Sequence, residues 1–204
     1  MYKKLRICNI MILSLLNKNQ GIKVKGYYQT NYTSSFGDIT LACDGKNLIG
    51  LWLESQKHFD SKLKAQAIYN DDLEIFKQTK AWLKSYFKGE KPAISELSLA
   101  PIGTEFRQRI WQILCEIPYA GLMTYGDIAK IIAQERGKAK MSAQAVGSAV
   151  GHNPISIIIP CHRVVGANGN LTGYAGGIQT KIKLLEHEGV DMKGLFIPKH
   201  LSLL

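Results

Sequence analysis

The sequence predicts a mixed α/β (α+β) chain built as two small domains, an N-terminal α/β scaffold followed by a C-terminal winged helix-turn-helix. Three observations carry this reading. Strand-like runs flank an Asp44-Gly45 turn and are followed by helical spacing over residues 71–87. Three capped helical segments then follow within about fifty residues of Thr104. Last comes a β-branched run, Ile155 to Ile159, that leads into a Gly-rich segment.

Residues 1–25 precede the first domain and are expected to form a basic, mobile extension. Lys3, Lys4, Arg6, Lys18, Lys23 and Lys25 face no acid there, and the apolar run Ile7 to Leu16 is too short to span a bilayer and lacks a small-residue cleavage site. The scaffold domain is placed at 26–98. Tyr27 to Thr33 is rich in aromatics and Thr, and Ile39 to Cys43 and Asn47 to Leu53 are strand-like. Gly45 tolerates the positive φ that a hairpin turn requires. Leu73, Phe76, Leu83 and Phe87, with Ile75, Trp82 and Tyr86 close by, recur at helical spacing, and Lys88 to Pro92 ends that helix.

The second domain is placed at 99–190, with a tail at 191–204. Thr104 caps a helix carrying Phe106, Ile110, Ile113, Leu114 and Ile117 inward, which Pro118 to Gly121 breaks. Thr124 and Asp127 resemble a capping box that opens a helix with Ile128, Ile131 and Ile132 inward. Ser142 caps a third helix through about Val150, stopped by Gly151-His152-Asn153-Pro154, and Ile155 to Ile159 reads as a short buried strand. Helices joined by a turn, then a strand and a Gly-rich loop, outline a winged helix-turn-helix. The third helix offers Ala143, Gln144, Ala145, Gly147, Ser148 and Ala149, with no Arg, Lys or Asn to pair with base edges. Such a face suits either tight packing inside the protein or a groove read by shape.

The net charge of +10 is unevenly spread. The first 25 residues hold six basic residues, 26–103 carry nine lysines against nine acids, and 104–204 carry eleven basic residues against seven acidic ones. Attraction to phosphate from the folded body is therefore expected from the second half. Cysteines at 8, 43, 115 and 161 show neither C-x-x-C nor zinc spacing, which points to free thiols, a cytoplasmic location and no metal.

Ile157-Ile158-Ile159-Pro160-Cys161-His162-Arg163-Val164-Val165 is the densest chemical signal. The thiolate is the nucleophile, so a reactive Cys needs a nearby base or positive field. Neighbours on an extended strand point to opposite faces, so pairing Cys161 with His162 requires a turn at Pro160 or a bridging water. An inert buried thiol beside a satisfied His is the bland alternative.

Pro160-Cys161-His162-Arg163-Val164, the preceding Gly151-His152-Asn153-Pro154 and the following Gly173-Tyr174-Ala175-Gly176-Gly177 resemble the signature of the O6-alkylguanine-DNA alkyltransferase family. So do Ile117-Pro118-Tyr119 with Thr124 to Ala129, and Leu184-Leu185-Glu186-His187-Glu188-Gly189. The resemblance runs over residues 26 to 190, most strongly from 104. It implies a ribonuclease-H-like fold for the first domain and a suicidal, single-turnover transfer in which Cys161 accepts the alkyl group. His162 would take the thiol proton through a water, and Glu188 would hold the imidazole. Tyr125 would hydrogen-bond the departing guanine, and Asn153 would fix the turn behind the site. DNA contacts are implied for Thr124, Tyr125, Ser142, Gln144, Ala145, Gly147, Ser148 and Gly151, and a base pocket for Val164, Tyr174, Ala175 and Gly176. Arg163 is read as braced within the fold.

The partner implied is double-stranded DNA carrying O6-alkylguanine, bound in the minor groove by a monomer without cofactor. The sequence departs from the family at Gln144, where an arginine is usual, and at Ala175, where some relatives carry a hydroxyl. Three rivals remain at this stage. A cysteine hydrolase could use Cys161, His162 and Glu188, and a winged-helix regulator would bind DNA without chemistry. An alkyltransferase-like damage binder would lack the acceptor cysteine.

Overall fold

A computed structural model describes residues 26–54, 56 and 66–198. The expected extension at 1–25 and the last residues of the tail lie outside them. The first domain is a four-stranded sheet in the order β3-β2-β1-β4, formed by β1 (Tyr28–Ser34), β2 (Gly37–Cys43), β3 (Leu48–Leu53) and β4 (Ile68–Tyr69). The first three strands run antiparallel, and β4 pairs parallel with β1. The β2–β3 turn has the expected chemistry. Asp44 accepts from the amides of Lys46 and Asn47, and Gly45 sits at φ +97°.

Helix α1 (Glu74–Phe87) packs Ile75, Phe76, Thr79 and Leu83 against the sheet. It starts three residues after the first expected position, since the backbone is still extended at Leu73, with φ −65° and ψ 136°. The Asp71 carboxylate accepts from the Thr30 hydroxyl and the Lys80 ammonium, which ties the helix to β1.

The second domain contains α2 (Glu105–Glu116), β5 (Met123–Thr124), α3 (Tyr125–Glu135), α4 (Ala143–Gly151), β6 (Val164–Val165) and α5 (Ile178–His187). Each of the three helix starts expected from a hydroxyl cap has it: Thr104, Thr124 and Ser142 accept from the third amide of their helices. The Trp111 indole donates to the Ala149 carbonyl at 2.9 Å and fastens α2 to α4. The wing is minimal, a parallel pairing of two residues in each strand.

One expectation fails. Ile155 to Ile159 is buried but is not a strand. The Ile158 amide donates to the Ser156 carbonyl at 2.8 Å across Ile157, whose φ is +68°. That is a γ-turn, a strained conformation for a β-branched residue. The Cys161 amide then donates to the Ile159 carbonyl at 2.8 Å across Pro160, at φ −81° and ψ 64°, which is an inverse γ-turn. Asn153 dictates this path. Its side chain accepts from the Ile155 amide at 3.0 Å and donates to the Ile155 and Ile159 carbonyls at 3.3 and 2.8 Å, so groups that would have entered a ladder are bound locally.

The two domains share one apolar core. Leu41, Leu51, Phe76 and Leu83 are continuous with Ile110, Ile113, Ile128, Val150, Ile158 and Leu184. Backbone bonds reinforce the junction, because Leu51 donates to the Pro154 carbonyl and accepts from the Ser156 amide. The first domain thus buttresses the turn that presents Cys161. Among the described residues no helix is long and apolar enough to cross a membrane.

Candidate active site

Cys161 opens a single 3-10 turn, Cys161–Arg163, immediately after the inverse γ-turn at Pro160. The turn removes the opposite-face problem that an extended strand would pose. Its thiol is 4% exposed and accepts from Asn153 Nδ2 at 3.1 Å. Burial pushes the thiol pKa up, opposed by the Asn153 hydrogen bond, the Lys181 charge, its own backbone amide and Ser156. At neutral pH the resting sulfur is therefore protonated, and any chemistry at it would require a base.

The next residue carries an imidazole. His162 is fully buried, with Nε2 2.7 Å from Glu188 Oε1, while Nδ1 has no hydrogen-bond partner among the described residues. Burial lowers the imidazole pKa, although the Glu188 hydrogen bond and charge act against the fall. An ionised carboxylate only accepts, so Nε2 carries the proton and Nδ1 is left as the free acceptor.

Glu188, the C-cap of α5, is the hub of the site. Besides His162, its carboxylate accepts from Arg163 Nε at 2.8 Å, Arg163 Nη2 at 3.0 Å, the Ala120 amide at 3.2 Å and the Tyr86 hydroxyl at 2.8 Å. Burial alone would raise its pKa. The hydrogen bonds and charges of His162 and Arg163 outweigh burial and hold it far below the usual carboxylate range. Arg163 also donates to the Ile117 carbonyl at 2.7 Å and lies over the Tyr119 ring, so its edge and one face are engaged within the fold.

The remaining expected residues lie on α3, on the 172–177 segment and in β6. Tyr125, the first residue of α3, donates toward the carbonyls of Thr172 and Gly173 at 3.2 and 3.1 Å. Burial, with the Cys161 charge adding to it, raises the phenol pKa above its ordinary 10, so it remains a donor. Gly173 lies at φ +71°, and a β-carbon there would come within 2.6 Å of the Tyr125 hydroxyl oxygen. The loop across 172–177 carries Tyr174, whose hydroxyl is buried beside Ser156 with no hydrogen-bond partner among the described residues, then half-buried Ala175 and buried Gly176. Val164 lies beneath, fully buried in β6.

Outside the thiol, α4 turns Ser142, Gln144 and Ser148 to solvent, with Ala145, Gly147 and Gly151 half-buried on the same side and Val146, Ala149 and Val150 inward. Thr124 is absorbed in its cap, where it also donates to the Asp127 carboxylate at 2.6 Å. Asn153 follows α4 directly, so a single side chain links the exposed helix to the sulfur.

Sequence reasoning missed Lys181. It is fully buried, with its ammonium donating to the carbonyls of Val164 and Thr172 at 2.5 and 2.8 Å. Burial lowers its pKa to about 8, with the Cys161 charge opposing. This places a cation near the sulfur and ties Thr172 to β6. A lysine in the inward stripe Ile178, Lys181, Leu184, Leu185 was the available signal.

A small α/β domain joined to a winged helix-turn-helix whose turn presents a buried thiol backed by a His–carboxylate pair defines a DNA-binding protein with nucleophilic chemistry. Residues 27–101 match the family model for the ribonuclease-like domain of 6-O-methylguanine DNA methyltransferase, and residues 105–190 match that for its DNA binding domain. The chain belongs to the 6-O-methylguanine DNA methyltransferase family. It is 39% identical over 164 residues to the methylated-DNA–protein-cysteine methyltransferase of Haemophilus influenzae, covering 80% of this chain and 87% of that one. It is 40% identical over 163 residues to that of Methanosarcina acetivorans, covering 79% and 98%. The fold superposes on the crystal structure of Mycobacterium tuberculosis OGT in complex with DNA with a TM-score of 0.68 at 39% identity, covering 80% of this chain and 93% of the other.

Proposed function

We propose that this chain, a DNA-repair methyltransferase of the methylated-DNA–protein-cysteine type, binds damaged duplex through the minor groove, takes the O6-alkylguanine out of the stack and transfers its alkyl group to Cys161. The observation that carries this is the single amide of Asn153, which joins the end of the exposed small-residue helix to a nearly buried sulfur.

The steps follow from the residues. A stacked guanine cannot bring its alkyl carbon to a recessed thiol, so the nucleotide is extruded into the pocket between Val164 and the Tyr174-Ala175-Gly176 loop. The Cys161 proton passes through a water to His162 Nδ1, and Glu188 neutralises the imidazolium. Sulfur attacks the alkyl carbon in line, forming the S–C bond as the C–O6 bond breaks and its electron pair returns to the base. Tyr125 exchanges a carbonyl acceptor for the guanine and passes it a proton as the C–O6 bond breaks, so that a neutral base departs. The phenolate then takes a proton from solvent and the imidazolium releases one to it. The thioether is stable and nothing beside it regenerates the thiol. Repair therefore ends after one event per molecule.

Around the duplex, Thr124, Ser142, Ala145, Gly147, Ser148 and Gly151 form the contact face, with small side chains that admit close backbone approach and no sequence reading. Gln144 fills the vacated stack. It lacks the charge of an arginine, so Gln144→Arg is expected to tighten duplex binding or speed repair about five-fold at low salt, with the gain shrinking as salt rises. Titration of labelled duplex and single-turnover kinetics check this, and unchanged values in both refute it.

The reading as a whole is tested by stoichiometry. Protein mixed with excess O6-methylguanine duplex is expected to remove one lesion per molecule and stop. Continued turnover would instead fit a hydrolase, and binding without lesion loss a regulator or damage binder.

A further inference from the structure

The α1 helix reaches the active site through one atom. Tyr86 is 1% exposed, and its hydroxyl donates at 2.8 Å to Glu188 Oε1, the same oxygen that receives His162 Nε2 at 2.7 Å. Its ring is held independently of that hydroxyl. It stacks on Trp82 at 5.5 Å between centroids and meets Phe87 and Tyr119 edge-on. The preceding residue, the last of α5, adds a second contact, because His187 Nε2 donates to the Tyr86 carbonyl at 2.8 Å. The first domain is therefore wired into the orienting carboxylate as well as packed beneath the Cys161 turn.

We propose that Tyr86 is a positioning residue for alkyl transfer, supplied by the N-terminal domain, that sets the basicity and orientation of His162 through their shared acceptor on Glu188. The proposal rests on the role given to His162 above. A hydroxyl donor to a carboxylate places the positive end of its dipole beside the oxygen that must neutralise the imidazolium. It therefore draws off part of the negative charge His162 would feel and keeps the imidazole a weaker, neutral base. It also fixes the direction of the Oε1 lone pairs, so that Nε2 stays engaged and Nδ1 is left open as an acceptor. The other ionisable groups that face His162 are Glu188 and Lys181 from α5 and Cys161 and Arg163 from its own turn, with Tyr119 opposite Arg163 and Glu188. None of these bonds to the Tyr86 hydroxyl except Glu188.

The test is Tyr86→Phe in the full chain, which keeps the ring and its stacking. His162 is titrated by imidazole NMR in both proteins, and transfer from an O6-methylguanine duplex is timed across pH. Loss of the dipole is expected to move the His162 titration upward and to carry the acidic limb of the transfer rate to higher pH by the same amount, since a protonated imidazole cannot accept the thiol proton. Affinity for undamaged duplex is expected to stay unchanged. A His162 titration and acidic limb that coincide in the two proteins would overturn the proposal. Absence of transfer in the unaltered protein would overturn the repair reading instead, and the NMR comparison would still decide the role of Tyr86.

Discussion

Glu188→Ala is expected to cost about 3–5 kcal/mol of folding stability and to reduce alkyl transfer below detection, the larger of the two effects we expect from single substitutions. The carboxylate accepts from five donors, and its loss strands the buried Arg163 guanidinium and frees the His162 ring. The same residues set the acid sensitivity of the unaltered protein. His162 has its folded pKa below its ordinary 6.5, so the unfolded chain binds the extra proton first and stability falls as pH drops through that value. Glu188 is held below its ordinary 4.5, so its contribution is present above that pH and is lost as pH falls further. Urea midpoints between pH 7.5 and 2.5 are expected to decline in both ranges, and Glu188→Ala to weaken the lower decline. A variant with unchanged midpoint at pH 7.5 would show that the cluster carries little of the fold.

Asn153→Ala is expected to slow transfer by about ten- to a hundred-fold and to destabilise the chain by about 2–3 kcal/mol. The rate effect arises because Asn153 Nδ2 donates to Cys161 Sγ, and a donor to sulfur is worth more as the thiolate forms. The stability effect arises because the Ile155 amide and the Ile159 carbonyl lose their partner inside the protein. Single-turnover rates and urea midpoints separate the two. A rate equal to that of the unaltered protein would leave Asn153 as a purely structural residue.

Much of this arrangement was legible in the chain. Thr104, Thr124 and Ser142 mark helix starts because hydroxyl capping is a local interaction that needs nothing from the rest of the fold. Cys161 and His162 stand out because the motif around them is dense and ordered. The Ile155 to Ile159 run misled, since buried β-branched residues look alike in a strand and in a turn held by a side chain such as Asn153. Tyr86 and Glu188 are 102 positions apart, and nothing local in either helix distinguishes a core tyrosine from a donor to the active site. Lys181 was hidden for a related reason: its two carbonyl acceptors are presented only once β6 and the 172–177 loop have closed over α5.

The final position of the alkyl group separates transfer to Cys161 from every other outcome. Protein incubated with an O6-methylguanine duplex, weighed intact and mapped by peptide fragmentation, is expected to gain the mass of one methyl group on Cys161, and Cys161→Ser to gain none and leave the lesion in place. A methyl group found on another residue, or lesion removal that persists in the serine variant, would contradict it.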